Sequence, residues 1–203
     1  MAVIAFWGNM EPKFFISDIP DEQVIHQRAV ITDSYRNRIR RVNGIPVLEY
    51  MESVGLAKNG NLEGIASFPL ILHVAGGSRL IRTIYSADKD ELLCSGMVPS
   101  HIPMEISFCD REFVMESARK TADECKKWLL DQNGSKSALV VSCAARRWTL
   151  GSDVYAEIRE IDEGLKNLPY HFVYSRGEFC PVNIYNGKAE NYFFNYSLCI
   201  CII

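Results

Sequence analysis

Four short runs in this sequence carry residue types that can do chemistry. The first is Ser142-Cys143-Ala144-Ala145-Arg146-Arg147, where an apolar, β-branched stretch gives way to a turn before a helix. In sheets with βα connections, ligands settle outside the carboxyl ends of strands, which puts Arg146 and Arg147 where they can hold an anion. A guanidinium grips carboxylate or phosphate through two parallel N–H donors, so it selects geometry as well as charge. A surface or domain-contact role suits the same two arginines equally well. The second run is Arg176-Gly177-Glu178-Phe179-Cys180-Pro181, a Gly-Glu pair interrupting a strand. Glycine there marks a bulge or a close backbone approach. Glu178 then either points into a cleft, accepting from a ligand ammonium group, or makes an internal salt bridge with Arg146 or Arg176.

The third run is Asn195-Tyr196-Ser197, within a final strand over residues 191–203. Residues two apart share a strand face, so Asn195 and Ser197 present an amide and a hydroxyl together. They serve a bound molecule or satisfy a neighbouring strand. The fourth is the basic run Arg36-Asn37-Arg38-Ile39-Arg40-Arg41. Phosphate contacts need such clusters. In a net-acidic chain, however, the run reads as a charged, solvated edge strand.

A catalytic apparatus is hard to assemble around these runs. Cys143 as a nucleophile needs a nearby base and a depressed pKa. His26, His73, His101 and His171 carry no local signature of such a partner, and the sequence has no P-loop, GxGxxG, HExxH or GxSxG pattern. No cofactor is implied. There are seven cysteines, with no CxxC pair and none near a histidine at zinc-finger spacing, so no metal is implied either. Cys199 and Cys201 fall on one strand face and read as core thiols. An odd count outside a small secreted framework suggests reduced thiols and a cytoplasmic setting. The opening MAVIAFWGNMEPK lacks the charged start of a secretory signal.

The elements that must position these residues follow from periodicity. Short strands are expected at residues 2–7 and 13–17, and a hairpin at 29–33 and 37–42. Pro46 opens a short helix with Val47, Tyr50, Met51 and Val54 on one face. A β-rich middle follows: 68–74 and 79–86 around a glycine turn at 75–78, then 91–98 and 104–109. Asp110 caps the longest helix, about residues 111–132, whose apolar stripe is Val114, Ala118, Ala122, Cys125 and Leu129. A buried strand over 137–144 leads to a helix capped by Ser152 or Asp153, carrying Val154, Ile158, Ile161 and Leu165. Strands 171–179 and 191–203 close the chain, joined through Pro181 and the turn Asn186-Gly187. The expectation is an α+β fold: a mostly antiparallel sheet of about nine strands, two longer helices and one short one.

Composition agrees with a globular domain. The 203 residues are 48% hydrophobic with a net charge of −3, too apolar and too weakly charged for a disordered chain. The acidic balance also argues against a dedicated nucleic-acid binder. No apolar run reaches the roughly 18 residues of a membrane span. Ile200, Ile202 and Ile203 leave the chain ending inside a strand, which reads as a piece of a longer protein.

Taken in order, these motifs resemble the C-terminal domain of FIST proteins, the F-box and intracellular signal transduction sensory module. The resemblance begins near Ala29 in VITDSYRNRIRRVNGIPVLEYMES and continues through GGSRLIRTIYSADKDELLCSGMVPSHIPMEISFCD. It is strongest at Ser142-Cys143-Ala144-Ala145-Arg146, similar to the family's fSCxGR. Gly177-Glu178 with Pro181 resembles GEixP, and Phe194 to Leu198 resembles hNxTl. Ala145 stands where the family has glycine, and Ser197 where threonine is commoner. The resemblance implies residues 29–203 as a sensory domain and residues 1–28 as a remnant of the preceding FIST half. It also implies a small ligand, an amino acid or related metabolite, with a signalling output domain and the missing half as partners, and no enzyme activity. By motif match, Arg146, Glu178, Asn195 and Ser197 are carried over as site residues, with Arg147 and Cys143 beside them. An arginine for a carboxylate and a glutamate for an ammonium is the simplest recognition of an amino acid. Two other functions stay open: a protein-interaction scaffold without a small ligand, and a hydrolase using Cys143.

Overall fold

The computed structural model describes residues 7–8, 11–58, 61–62, 64–74, 77, 79–184 and 188–203. The strand expected at 2–7 and the turns at 75–78 and 186–187 lie wholly or largely outside them. Among the described residues the fold is α+β, with strands divided over one large sheet, one small sheet and a hairpin.

The large sheet takes strands from the first half of the chain: β1 (Lys13–Ile16) lies outside it, then β2 (Val24–Tyr35), β3 (Arg38–Val42) and β4 (Ile45–Pro46) enter. After helix α1 (Val47–Ser53) come β5 (Leu70–His73), β6 (Arg79–Arg82), β7 (Ile84–Asp88), β8 (Glu91–Cys94) and β9 (Ile102–Ser107). Their order is β6-β5-β9-β2-β3-β8-β7, with β4 beside β3. The pairings are antiparallel. Residues 79–86, expected as one strand, break at Thr83, and the two pieces occupy opposite edges of the sheet. One residue joins those edges, so the sheet curls until they meet. Inside the curl, Val47, Tyr50 and Met51 of α1 pack on Ile31, Ile39, Leu72, Leu92 and Met104. Pro46 precedes the helix, where its missing N–H costs nothing.

The basic run sits on β3, which is an interior strand between β2 and β8 rather than an edge. Two of its four arginines are paired locally. Arg38 donates to Asp88 at 3.2 Å and to Glu91 at 2.8 Å, and Arg40 to Glu91 at 2.6 Å. The acidic partners on β7 and β8 make interior placement tolerable.

The second half of the chain builds the small sheet. It contains α2 (Arg111–Leu129), β10 (Ala138–Cys143), α3 (Ala144–Leu150), α4 (Ala156–Gly164), β11 (Tyr170–Ser175), β12 (Glu178–Ile184), β13 (Lys188–Phe194) and β14 (Leu198–Ile202). The sheet order is β1-β14-β10-β11, with β10 and β11 parallel and the other pairs antiparallel. The chain thus enters this sheet at Lys13, and β2 continues through position 28, with irregular pairing to β9 between Val24 and Ala29. Asp110 caps α2 as expected, accepting from the Phe113 N–H at 2.8 Å. The α2 stripe of Ala118, Ala122 and Cys125 packs with Ile161 and Leu165 over Val140, Leu198 and Ile200.

Four elements of this half differ from expectation. Helix α4 starts at Ala156 without a Ser152 or Asp153 cap, because the Asp153 carboxylate is taken by Arg111 and Arg159. Residues 171–179 divide at Arg176-Gly177 between β11 and β12. The segment after Cys143 is a helix from its first residue, not a turn. Ala144 and Ala145 are strong helix formers, and Ala145, Arg146 and Leu150 bury one side of α3. Residues 191–203 are two strands, because Tyr196 turns the chain at a φ of 60° between β13 and β14. β13 pairs instead with β12 as a hairpin that holds Pro181 in its ladder. Pro181 is tolerated because the two-stranded hairpin leaves β12 an open edge.

Helices α2 and α4 approach so closely that a Cβ on Gly164 would lie 2.4 Å from the Ala122 Cβ. Gly164→Ala is therefore expected to cost about 1–3 kcal/mol in urea unfolding through overpacking. Adding Ala122→Gly should return part of that loss, whereas two independent sites would give summed losses.

Candidate functional site

The site grows from the parallel pair β10–β11, whose carboxyl ends fall in register at Cys143 and Ser175. From there the chain diverges, into α3 after Cys143 and through Arg176-Gly177 into β12 after Ser175. The turn before β14 closes over them, with the Cys143 N–H donating to the Ser197 carbonyl at 3.0 Å. Gly177, at a φ of 147°, lets the backbone pass Phe193, since a Cβ would sit 2.2 Å from its ring. This is the close approach that the Gly-Glu pair signals. Tyr196 pins the closing turn from inside: its hydroxyl donates to the Cys109 carbonyl at 3.0 Å and meets the Thr149 hydroxyl at 2.8 Å.

Three sequence-predicted residues come together here. Glu178 is buried and accepts from Ser175 at 2.6 Å and from Ser197 at 2.7 Å. The Cys143 thiol lies beside it, close enough for each to act on the other's titration. Neither salt bridge considered for Glu178, to Arg146 or to Arg176, is present. Burial pushes its carboxyl up to about 7, against the pull of the two hydroxyls, the Arg146 charge and the thiol. Burial and the Glu178 charge together push the Cys143 thiol up to about 11, although the N–H groups of Ala145 and Tyr196 oppose this. Asn195 lies alongside, its amide nitrogen 3.5 Å from the Arg176 carbonyl. Its Oδ1 is buried with no hydrogen-bond partner among the described residues.

Arg146 belongs to a different constellation. It is wholly buried and donates from Nε to Glu157 Oε1 at 2.7 Å. Its Nη2 reaches the Val114 carbonyl and the Ser117 hydroxyl, both at 3.0 Å, and Ser142 donates to the other Glu157 oxygen at 2.9 Å. Burial would lower the guanidinium pKa, but the Glu157 charge and hydrogen bond hold it above its ordinary value. This corrects the reading of Arg146 as an anion-holding turn residue: helix α3 carries it inward, where it ties α3 to α2 and α4. Arg147 is exposed and lies 5.7 Å over the Tyr174 ring. The structure thus separates the two arginines that the motif sets side by side.

The open volume nearby is a cavity of about 330 Å³ between the two sheets. The large sheet contributes Asn37, Tyr85, Cys94 and Ser95, and the small sheet contributes Cys143, Ala144, Ala145, Trp148 and Arg176. Asn37 is fixed by donating to the Cys94 carbonyl at 2.9 Å. Arg176 is exposed and makes no ion pair among the described residues. No described group of three His, Cys, Asp or Glu side chains is placed to hold a metal ion. Sequence reasoning missed Glu157, although its spacing with Ile161 and Leu165 put a charge on the buried face of α4. The cavity wall at Asn37, Tyr85 and Ser95 carried no local signal, because only tertiary packing brings it to Cys143.

A family model described as FIST C domain matches residues 46–181, more than half of the chain. The match includes Cys143, Arg146, Arg147 and Glu178, and stops before Asn195 and Ser197. Neither the curated proteins nor the solved structures gave a match.

The raised carboxyl has a pH signature. The unfolded chain loses the Glu178 proton near 4.5 while the folded chain keeps it to about 7. Stability from this group is therefore full below 4.5 and falls as pH rises to 7, by about 3 kcal/mol. The difference in unfolding free energy between wild type and Glu178→Gln should show this slope between pH 4.5 and 7. A flat difference would contradict the assignment.

Proposed function

The chain belongs to the FIST C domain family, a family of sensory signal-transduction domains, and on that premise we propose that it captures a small metabolite in the cavity between its two sheets. The observation that carries this reading is the composition of that cavity. Two sheets meet there with neutral hydrogen-bonding groups at Asn37 and Ser95, aromatic faces at Tyr85 and Trp148, and the guanidinium of Arg176. An arginine free of internal carboxylates keeps its paired donors for a ligand carboxylate. The ligand class is an amino acid or a related metabolite.

Both walls contribute, so a ligand that prefers one spacing of the sheets shifts the population between two spacings. This is how occupancy would pass to an output domain in a signalling protein. Glu178 supports the floor from beneath through Ser175 and Ser197, beside Cys143. Asn195, wholly buried with an oxygen unpartnered among the described residues, lies behind the cavity wall against the Arg176 backbone.

The reading is of binding without turnover. A thiol pushed up to about 11 leaves on the order of one thiolate in ten thousand at pH 7. That supports a structural Cys143 over a nucleophile, and slow alkylation of Cys143 in the native state is the matching expectation.

The test is a thermal-shift screen with amino acids and related carboxylates at millimolar concentration. One chemical class should raise the midpoint by several degrees, as a ligand binding only the folded state must. Arg176→Ala should weaken that ligand at least about tenfold, the value of a charge-assisted pair. An equal shift in Arg176→Ala and wild type would place the ligand elsewhere. No shift with any class would favour a protein-interaction role.

A further inference from the structure

The hairpin β12–β13 lies against β14 with side chains matched in steps of two. Glu178 meets Ser197, and one step further Cys180 meets Cys199, their sulfurs 2.8 Å apart. Both thiols are buried among Phe14, Ile16, Tyr192 and Phe194. Those neighbours are aromatic and aliphatic, and the Glu178 carboxylate that acts on Cys199 is itself held by Ser175 and Ser197. Two sulfurs alone fall short of the four donors of a closed zinc site. What two touching thiols can do is exchange two hydrogens for one covalent bond. We propose that Cys180 and Cys199 are a redox modification site, joined as a disulfide when the protein meets a peroxide.

The chemistry balances with hydrogen peroxide as the oxidant. One sulfur attacks the O–O bond, which breaks; the sulfur becomes a sulfenic acid and the departing oxygen leaves as water with the thiol proton. The second sulfur then attacks the first, the S–O bond breaks, and a second water leaves with the second proton. Two thiols give up two electrons and peroxide accepts them. Cys201 is the competing partner, on the same face of β14 as Cys199 and partly exposed. Two residues along an extended strand separate the Cβ atoms by roughly 6–7 Å, whereas a disulfide needs about 3.8 Å. Cys199 can therefore reach Cys180 across strands without leaving the sheet, and cannot reach Cys201.

The bond would close a loop from β12 to β14. On the reading given under Proposed function, it would also anchor the strand that begins at Glu178 beside the cavity. The chemical claim stands without that reading.

The reduced full chain, treated with hydrogen peroxide and digested with trypsin without reductant, tests the proposal. Cleavage after Arg176 and Lys188 puts Cys180 in residues 177–188 and Cys199 in residues 189–203. The expected product is those two peptides linked, 2 Da lighter than their sum, with the midpoint of unfolding raised by about 5–10 °C and restored by dithiothreitol. Cys201→Ser should keep the link and Cys199→Ser should lose it. Unlinked peptides after peroxide treatment would overturn the proposal. So would a link that disappears in Cys201→Ser, or oxidation confined to sulfinic acid at Cys201.

Discussion

The buried pair of Arg146 and Glu157 is the interaction on which the rest of the structure depends. Each of its ions would be costly alone, since removing charge from water costs several kcal/mol before any partner is found. Here both are wholly buried, and most of the remaining polar atoms are used, by Ser142 from β10 and by Ser117 and the Val114 carbonyl from α2, while Arg146 Nη1 has no partner among the described residues. Four elements of the small sheet layer therefore meet at one polar point inside an apolar core. Because Arg146 must reach that point, α3 starts directly from β10. Ala144, Ala145 and Trp148 of that helix then line the cavity.

The site sorts its charges accordingly. One arginine–glutamate pair is internal and neutral overall. The other arginine and glutamate are kept apart, with Glu178 below the cavity under two hydroxyl donors and Arg176 at its wall. A carboxyl that shares no salt bridge stays protonated further up the pH scale. The guanidinium that shares none keeps its donors outward. The proposed capture of a small carboxylate rests on this division of charges.

Much of this was legible in the sequence, for physical reasons that differ by element. Helix α2 was readable because Asp110 and its apolar stripe are local signals, and α1 because Pro46 precedes a regular face. The Gly-Glu interruption signalled a close backbone approach, and Gly177 against Phe193 is that approach. The grouping of Cys143, Glu178 and Ser197 follows from motif order once β10, β12 and β14 are adjacent. What was not legible depends on long-range pairing. Nothing local says that Thr83 divides one stretch between two sheet edges, or that Tyr196 divides another. The partner of Arg146 was visible only as a charge on the buried face of α4, and choosing Glu157 over Glu178 needed the helix packing itself.

The most direct measurement of the central claim is a double-mutant cycle by urea unfolding, with Arg146→Met, Glu157→Met and the pair together. Each single change strands a buried charge and should cost about 3–5 kcal/mol. The double variant should cost at least about 2 kcal/mol less than the sum of the singles. Additive losses, or an Arg146→Met variant as stable as wild type, would contradict the account, because Arg146 would then be free to face a ligand.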